Sequence, residues 1–342
     1  MSLFRSEIFQ QPHVAAQMLE AARAEAESAA AAIRAKRPPA LLIAARGSSD
    51  HAAIYAKYLF ETRNRLPVML AAPSVFTLYR QPPRLAGLAV LAISQSGASP
   101  DVVGVLEEGR RQGSVTIAIT SEPRSRLGRA AEHVVRLRGG PELSVPASKT
   151  YTSSLLAVAL LSQALDPDPG FDACLARVPE ALTAALAVDS RLDAVVAAIR
   201  GERLAVLGRG YNLATAMEIG LKLMETCYVV AESRSVADFL HGPIATVGPG
   251  FPVLLIEAAG PTLRQMRTLG RRVEAAGARV VTITDQPAGA IGQALPVRTG
   301  LPESLTPLPY VIAGQLVALR MAEVLGIDSD RPRGLNKITE TR

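Results

Sequence analysis

A loop rich in hydroxyl side chains is the first feature of this sequence that could do chemistry. Four apolar residues, 90–93, lead directly into Ser94–Ser99, and a helical pattern begins after Pro100. A buried strand would end at Ile93, and the next helix would offer unpaired backbone N–H groups at the positive end of its dipole. The loop is therefore predicted to bind an anion, although an ordinary corner capped by Ser99 would use the same residue types.

A second candidate lies in the second half of the chain, where charged residues recur at helical spacing. Glu218, Lys222 and Glu225 stand at i, i+4 and i+7 and would share one helix face. A solvent-facing ion-pair stripe is the common outcome of such spacing, but the intervening residues are mostly apolar. We therefore predict a largely buried stripe, in which a carboxylate beside a lysine can acquire a shifted pKa. A further candidate, His241, precedes Gly242-Pro243 and is predicted to lie at an exposed turn.

The elements around these residues alternate between short apolar runs and helical patterns. This alternation predicts an α/β fold with a doubly wound parallel sheet, in which ligands bind beyond the carboxyl ends of the strands. Helices are predicted over 51–62 and 153–165, a loop or short helix over 78–85, and a polar turn over 142–152. The first-half strands are predicted at 40–45, 67–70, 88–93, 115–120 and 134–137.

The second half repeats the first. Arg46-Gly47 matches Arg209-Gly210, and Gly97 matches Gly260, both at a separation of 163 positions, which indicates an internal duplication. The second copy has Glu-Ala-Ala at 257–259 where the first has Ser-Gln-Ser, so the anion should bind the first copy only. The predicted segments are a helical segment 1–37, a first domain 38–166, linker helices 167–199, a second domain 200–327 and a tail 328–342.

Composition excludes several other classes of protein. The net charge of +6 comes largely from scattered arginines without interleaved aromatics, which disfavours nucleic-acid binding. Two cysteines and four histidines without a CxxC motif predict no metal site, and we expect no cofactor. Few cysteines and no signal peptide favour the cytoplasm, and no apolar run reaches the ~20 residues that span a bilayer.

Taken together, these motifs resemble the sugar isomerase (SIS) family, specifically the isomerase half of glutamine-dependent glucosamine-6-phosphate synthase. The resemblance covers almost the whole chain and includes an opening Glu7-Ile8 with Gln11-Pro12. The other motifs that carry it are Arg-Gly-Ser-Ser at 46–49, Ser-Gln-Ser-Gly-Ala-Ser at 94–99, Glu142 with Val-Pro-Ala-Ser-Lys at 145–149, the charged helix 218–225, His-Gly-Pro at 241–243 and Asp-Arg-Pro-Arg-Gly-Leu-Asn-Lys at 330–337.

The resemblance implies a homodimer that binds a hexose 6-phosphate. Glu225 would move a proton between C1 and C2, supported by Glu218 and Lys222, and His241 of the neighbouring subunit would open the sugar ring. Lys337 would reach the open-chain carbonyl as part of a lid formed by 328–342, a tail without apolar periodicity that we expect to be mobile. The residues implied to bind phosphate or sugar are Gly47, Ser48, Ser49, Ser94, Gln95, Ser96, Ser99, Glu142, Val145, Ala147 and Asn336.

Departures from the family pattern narrow the expected activity. Ala98, Ala147 and Asn336 differ from the usual residues, and the glutaminase domain has no counterpart, so we expect no ammonia from glutamine. The favoured prediction is a deaminase/isomerase acting on glucosamine 6-phosphate, with galactosamine 6-phosphate or a fructosamine 6-phosphate adduct as alternative substrates. The alternative from another functional class is a non-catalytic sugar-phosphate sensor. Such sensors usually carry a DNA-binding helix-turn-helix, whereas residues 1–37 are predicted to have neither a second helix nor a basic recognition face, which favours the enzyme.

Overall fold

The structure, a computed structural model, describes residues 2–337, which divide into two compact units. The N-terminal unit comprises residues 13–142, 149–176 and 336–337. The C-terminal unit comprises residues 2–12, 143–148 and 177–335. The last five residues of the predicted lid, 338–342, lie outside the described residues.

The N-terminal unit is built on one parallel sheet, as predicted. Its strand order is β2-β1-β3-β4-β5, the order of flavodoxin-like folds. The central strands β1, β3 and β4 are buried along their whole length, because helices cover both faces of a parallel sheet and continuous apolar runs are needed to fill both sides. The five strands are β1 Leu41–Ala44, β2 Val68–Leu70, β3 Ala89–Ile93, β4 Val115–Thr120 and β5 His133–Arg136.

The first half of the chain contains eight helices, and the first two lie in the opening segment. Residues 3–36 form two helices separated at Ala22, so the expectation that no second helix occurs there was wrong. The second of them is held on the N-terminal unit by Glu25, which pairs with Arg136 and Arg138 at 2.6 Å. The helices are α1 Leu3–Ala21, α2 Arg23–Lys36, α3 Ser48–Arg63, α4 Pro73–Thr77, α5 Pro100–Arg111, α6 Arg126–Ala130, α7 Lys149–Leu165 and α8 Pro169–Ala176.

One helix boundary in this unit differs from the sequence prediction. Helix α7 begins at Lys149 rather than 153, so the polar turn after Glu142 is shorter than expected. Residues 78–85, predicted as a loop or short helix, form a loop, and the short helix α4 precedes them with Pro73 in its first turn.

The C-terminal unit repeats the same topology. Its sheet has the order β7-β6-β8-β9-β10, which confirms the duplication inferred from the 163-residue offset. Strands β7 and β10 were not predicted because they lie at the sheet edges, where polar residues replace the continuous apolar pattern. The strands are β6 Arg203–Gly208, β7 Val230–Ser235, β8 Pro252–Glu257, β9 Arg279–Thr284 and β10 Gln293–Pro296.

Helix α14 fills the interior of the C-terminal unit. By length and composition alone this helix could cross a membrane, which qualifies the expectation that no apolar run is long enough. However, 78% of its most apolar 18-residue stretch is buried inside the structure. That burial is typical of a core helix. The helices are α9 Val178–Leu186, α10 Leu192–Ile199, α11 Asn212–Cys227, α12 Val236–Leu240, α13 Leu263–Ala275 and α14 Pro307–Leu325, with short 3₁₀ helices at Ala187–Arg191, Pro243–Thr246 and Glu303–Leu305.

The close packing of α11 on α14 generates a prediction about Gly314. A methyl group at Gly314 would overlap the side chain of Ile219 on α11, so Gly314→Ala should destabilise the protein by about 1–3 kcal/mol through overpacking. Gly104 in α5 is the control, because a methyl group there would lie 3.5 Å from Thr77. Gly104→Ala should be neutral or stabilising by up to about 1 kcal/mol. Urea unfolding of both variants tests this, and equal effects would contradict the packing argument.

Candidate active site

The hydroxyl loop lies between the end of β3 and the start of α5, as predicted. Its backbone is fixed by β4 and the residue that follows β4: Ser94 N–H donates to Ile119 O at 3.0 Å, and Ser121 N–H donates to Gln95 O at 3.1 Å. Gly97 has φ +61°, and a methyl group there would overlap the side chain of Ser125. Glycine is therefore required at this position both for conformation and for space.

Within the loop, the serine hydroxyls act as acceptors and keep their protons available. Ser94 Oγ accepts the N–H of Gly97 at 3.2 Å, and Ser96 Oγ accepts the N–H of Ala98 at 3.3 Å. Within residues 2–337, the Ser99 side chain makes no hydrogen bond that caps α5, so the alternative of an ordinary capped corner loses its support. The hydroxyl protons can serve an anion, whereas the first turn of α5 contributes less than expected, because Pro100 has no N–H and the N–H groups of Val102 and Val103 donate to Asp101 Oδ1 at 2.9 Å and to Ser99 O at 3.0 Å.

The Arg-Gly-Ser-Ser segment is connected to this loop by an ion pair. Arg46 Nε lies 2.7 Å from Oδ2 of Asp101, whose side chain is only 2% exposed and stands in the first turn of α5. Gly47 has φ +55°, and Ser48 and Ser49 begin α3. Because the Arg46 guanidinium is paired with Asp101, Arg46 connects the loop after β1 to the loop after β3.

Glu142 and Lys337 form a second pair in the N-terminal unit. Lys337 Nζ lies 2.7 Å from Glu142 Oε2, and the Glu142 side chain is 1% exposed. The same carboxylate accepts the backbone N–H of Thr150 at 3.1 Å and its hydroxyl at 2.7 Å, which satisfies a first-turn group of α7. The tail is therefore held at Lys337 by its ion pair with the buried Glu142 carboxylate.

The segment with Val145 and Ala147 is positioned by both chain ends. Val145 N–H donates to the backbone oxygen of Asp330 at 3.0 Å, and the Asp330 carboxylate accepts the N–H groups of Leu3 and Phe4 at 2.8 Å, at the start of α1. Asn336 is exposed. Sequence reasoning did not identify the positioning role of Asp330, because 327 positions separate it from Leu3 and no local pattern relates them.

In the C-terminal unit, α11 brings Glu218, Lys222 and Glu225 together. Lys222 Nζ lies 3.2 Å from Glu218 Oε1 and 2.6 Å from Glu225 Oε2. The side chains of Glu218 and Lys222 are 0% exposed, whereas that of Glu225 is 19% exposed. The prediction of a buried stripe is confirmed, and among the three only Glu225 presents side-chain surface to a ligand.

The charge state of Lys222 follows from these contacts. Burial alone would lower its pKa, but the negative charges of Glu218 and Glu225 outweigh burial and raise the pKa above the ordinary value of 10.5. Lys222 is therefore a cation at neutral pH. It holds Glu225 in one position and leaves the partly exposed carboxylate available to a substrate.

The end of α11 is fixed by the tail. Tyr228 follows the helix with φ +56°, and its hydroxyl accepts the backbone N–H of Arg333 at 2.9 Å. The Arg333 guanidinium also lies 4.2 Å from the centroid of the Tyr228 ring. Sequence reasoning missed this contact, because Tyr228 and Arg333 are 105 positions apart and no motif links them.

His241 is exposed, as predicted, directly after α12. The following Gly242 has φ +142°, a conformation that favours glycine. In the N-terminal unit the structure thus joins Arg46 to the start of α5 and Lys337 to Glu142. In the C-terminal unit it brings the charged triad of α11 together and leaves His241 on the surface. Within residues 2–337, no three histidine, cysteine, aspartate or glutamate side chains are grouped to hold a metal ion.

Comparison with known proteins identifies the family. The SIS domain model matches residues 35–164 and 199–322, which correspond to the two repeats. The chain belongs to the SIS family, and the resemblance drawn from its motifs is confirmed.

The relatives of this chain are named for sugar phosphates. The glutamine–fructose-6-phosphate aminotransferase (isomerizing) of Zymomonas mobilis is 31% identical to this chain. The alignment is 351 positions long and covers 97% of this chain and 58% of that enzyme. The chain thus spans little more than half the length of this curated relative. A Silicibacter pomeroyi structure described as a phosphosugar isomerase is 34% identical, with a TM-score of 0.89 over 96% of this chain and 100% of that one.

The fold is also that of a deaminase. The glucosamine-6-phosphate deaminase of Thermotoga maritima superposes with a TM-score of 0.79 over 99% of this chain and 100% of that one, at 20% identity. The 20% identity of this deaminase shows the shared fold alone, whereas the SIS family and the Silicibacter pomeroyi structure support an isomerase role.

The buried ion-pair triad generates a stability prediction. Lys222→Met would leave Glu218 buried without its cation, so it should cost about 3–5 kcal/mol of unfolding free energy. The control is Arg234→Met, which breaks an exposed pair with Glu232 and should cost about 0–1 kcal/mol. Because the folded-state pKa of Lys222 is raised, its contribution is fully present below pH 10.5 and is lost only as the pH rises through the folded value. The titration of Lys222 itself should therefore add no pH dependence to wild-type stability between neutral pH and 10.5. A Lys222→Met variant as stable as the control would contradict the argument.

Proposed function

We propose that this protein is an amino-sugar phosphate deaminase/isomerase that converts glucosamine 6-phosphate and water into fructose 6-phosphate and ammonia. The observation that carries the proposal is the partly exposed Glu225, fixed by a fully buried Lys222 on α11. Membership of the SIS family and the deaminase-like fold support the same class of reaction. The proposal uses no metal ion and no cofactor.

The substrate phosphate would bind the loop Ser94–Ser99. Hydroxyls of Ser94, Ser96 and Ser99 and the Gln95 amide would donate to it, helped by Ser48 at the start of α3. Gly47 and Ser49 would shape the start of the same helix. A phosphate bound this way is held by dipoles and hydroxyls, without a lysine or arginine in the loop itself.

A basic cleft elsewhere in the N-terminal unit is a weaker candidate for the phosphate. It measures about 450 Å³ and is lined by Glu107, Arg110, Arg111, Arg126, Arg129 and Ala130. Arg126 pairs with Glu107 at 2.7 Å, Arg111 pairs with Glu108 at 2.7 Å, and Arg110 donates to backbone oxygens. Since these arginines already have partners, the cleft offers less free donor capacity than the serine loop.

Proton transfer would follow ring opening. His241, from a neighbouring subunit of a homodimer, would move the proton between the ring oxygen and the C1 hydroxyl, a task suited to a group that titrates near neutrality. Glu225 would remove the proton from C2 of the open-chain aldehyde and return it to C1, while the C1 carbonyl oxygen gains a proton and the C2 amine loses one; Glu218 and Lys222 would fix the position of Glu225. The product is an imine at C2, which water hydrolyses to the ketone of fructose 6-phosphate and ammonia.

The tail would complete the site. Lys337 would approach the sugar carbonyl, and Glu142, Val145, Ala147 and Asn336 would contact the open chain. In the structure Lys337 is paired with buried Glu142, so a role at the carbonyl requires the ammonium to exchange this partner for substrate. We also propose a cytoplasmic location, in keeping with a phosphorylated intracellular substrate.

A direct assay tests the proposal. The protein is incubated with glucosamine 6-phosphate, and free ammonia and fructose 6-phosphate are measured in parallel. Equimolar formation of both supports the proposal. Turnover only with galactosamine 6-phosphate or a fructosamine 6-phosphate adduct would reassign the substrate, and tight binding without turnover of any of them would favour a sensor.

The phosphate loop generates a kinetic prediction. Ser96→Ala removes one hydroxyl donor to a group that does not react, so it should raise KM much more than it lowers kcat. Ser74→Ala, in α4 of the same unit, is the control and should change neither constant. An unchanged KM for the phosphorylated sugar in Ser96→Ala would remove the loop from the phosphate site.

Glu225 generates the complementary prediction. Glu225→Gln keeps the shape of the side chain but cannot accept a proton, so kcat should fall by ~10²–10⁴-fold with little change in KM. Glu232→Gln is the control, because Glu232 is a partly exposed carboxylate on β7 of the same unit. If Glu225→Gln retained normal kcat, the base would be another residue, with Glu142 and Glu218 next to be tested.

A further inference from the structure

The buried polar side chains near the start of α1 are connected to segment 143–148 of the same unit. Glu7 is only 4% exposed, and its carboxylate accepts the backbone N–H of Leu143 at 2.5 Å and that of Ser144 at 3.3 Å. It also accepts the hydroxyl of Ser144. One side chain of α1 therefore holds the start of segment 143–148 through three hydrogen bonds.

The other end of segment 143–148 is connected to the next polar residue on the same face of α1. Gln11 stands four positions after Glu7, and its Nε2 donates to Gln315 Oε1 on α14 at 2.7 Å. Gln315 Nε2 in turn donates to the backbone oxygen of Ser148 at 3.5 Å. Both glutamines are buried, so these amide contacts are shielded from water.

Burial alternates along segment 143–148. Three of its residues are buried: Ser144, Pro146 and Ser148. The other three keep accessible surface: Leu143, Val145 and Ala147. The segment therefore has an anchored side, which α1 and α14 hold, and an accessible side. The accessible side includes the two residues that the proposed function assigns to the open sugar chain.

The accessible side also offers free backbone groups. Val145 N–H donates to the backbone oxygen of Asp330 at 3.0 Å. Within the described part of the chain, the carbonyl of Val145 and the N–H of Ala147 have no hydrogen-bond partner. This acceptor and this donor suit a sugar chain, because each sugar hydroxyl can both donate and accept a hydrogen bond.

The Glu7 carboxylate is a costly means of holding a segment by packing alone. Among residues 2–337 it has no ion-pair partner, and its hydrogen bonds come from neutral groups. Burying a carboxylate without a cation is unfavourable, and an apolar side chain would fill the same space without that cost. Hydrogen bonds to a charged acceptor are strong and directional, so Glu7 fixes the backbone of segment 143–148 more closely than apolar packing would.

We propose that Glu7 and Gln11 are positioning residues, which hold segment 143–148 so that Val145 and Ala147 present their backbone groups to the hydroxyls of the open sugar chain. This assignment rests on the proposed function, which places the sugar chain on the segment. The α1 side chains touch no substrate themselves. They determine affinity for the sugar chain and leave affinity for phosphate to the serine loop of the N-terminal unit.

The test compares two ligands of the full chain by calorimetry. One is inorganic phosphate, and the other is glucitol 6-phosphate, an open-chain sugar phosphate that has no carbonyl and cannot react. Wild type should bind glucitol 6-phosphate more tightly than phosphate. Glu7→Gln replaces an acceptor oxygen by an NH₂ group that faces N–H donors. It should weaken glucitol 6-phosphate binding about 10-fold and leave the affinity for phosphate unchanged.

A control and a second variant separate positioning from a general loss of structure. Glu20→Gln, on the exposed side of α1, should change neither affinity. Ser144→Ala removes one donor to Glu7 but keeps the backbone N–H, so it should weaken glucitol 6-phosphate binding less than Glu7→Gln does. The double variant should lose less than the sum of the two single losses, because the hydroxyl and the carboxylate act through one hydrogen bond.

Three results would overturn the proposal. The first is an unchanged affinity for glucitol 6-phosphate in both Glu7→Gln and Ser144→Ala. The second is an equal loss of affinity for both ligands, which a general loss of structure would produce. The third is a wild type that binds glucitol 6-phosphate no more tightly than phosphate. None of them depends on ammonia formation, so a failure here is distinct from a failure of the proposed reaction.

Discussion

The ammonium of Lys222, buried between two carboxylates, is the interaction on which the site depends. A charged group with 0% side-chain exposure is costly unless it is paired, so Lys222 requires both Glu218 and Glu225 at short distance. The cation in turn fixes Glu225, which alone among the three has exposed surface. Helix α11 can hold this arrangement because Gly314 lets α14 approach it closely and the tail fixes Tyr228 at its end. A rigid helix thus carries the proposed base in one orientation.

Gene duplication produced two copies of one α/β unit, and the copies have taken different chemistry. The N-terminal copy keeps hydroxyls and open space beyond Gly47, which suit an external phosphate. The C-terminal copy has Glu-Ala-Ala at 257–259 where the N-terminal copy has Ser-Gln-Ser. Its candidate acid–base residues lie instead on α11. In the proposed function, the N-terminal copy therefore binds the anion and the C-terminal copy supplies the acid–base groups.

Much of the fold could be predicted from sequence, because continuous apolar runs such as Val115–Thr120 are needed wherever a parallel strand is covered on both faces. Strand β7 was missed since an edge strand needs no such run. The buried triad was predictable from helical spacing and apolar neighbours. The pairing of Lys337 with Glu142, and the contacts of Asp330 with the first turn of α1, were not predictable, because they join residues separated by 195 positions or more, with no local pattern to relate them.

The central claim is that Glu225 transfers a proton between C1 and C2 of the sugar. The most direct measurement is the rate at which deuterium from heavy water enters C1 and C2 of the sugar phosphate, followed by nuclear magnetic resonance. The wild type should incorporate deuterium at these carbons during turnover, whereas Glu225→Gln, with the sugar phosphate still bound, should incorporate it ~10²–10⁴-fold more slowly. Equal rates in the two proteins would contradict the account.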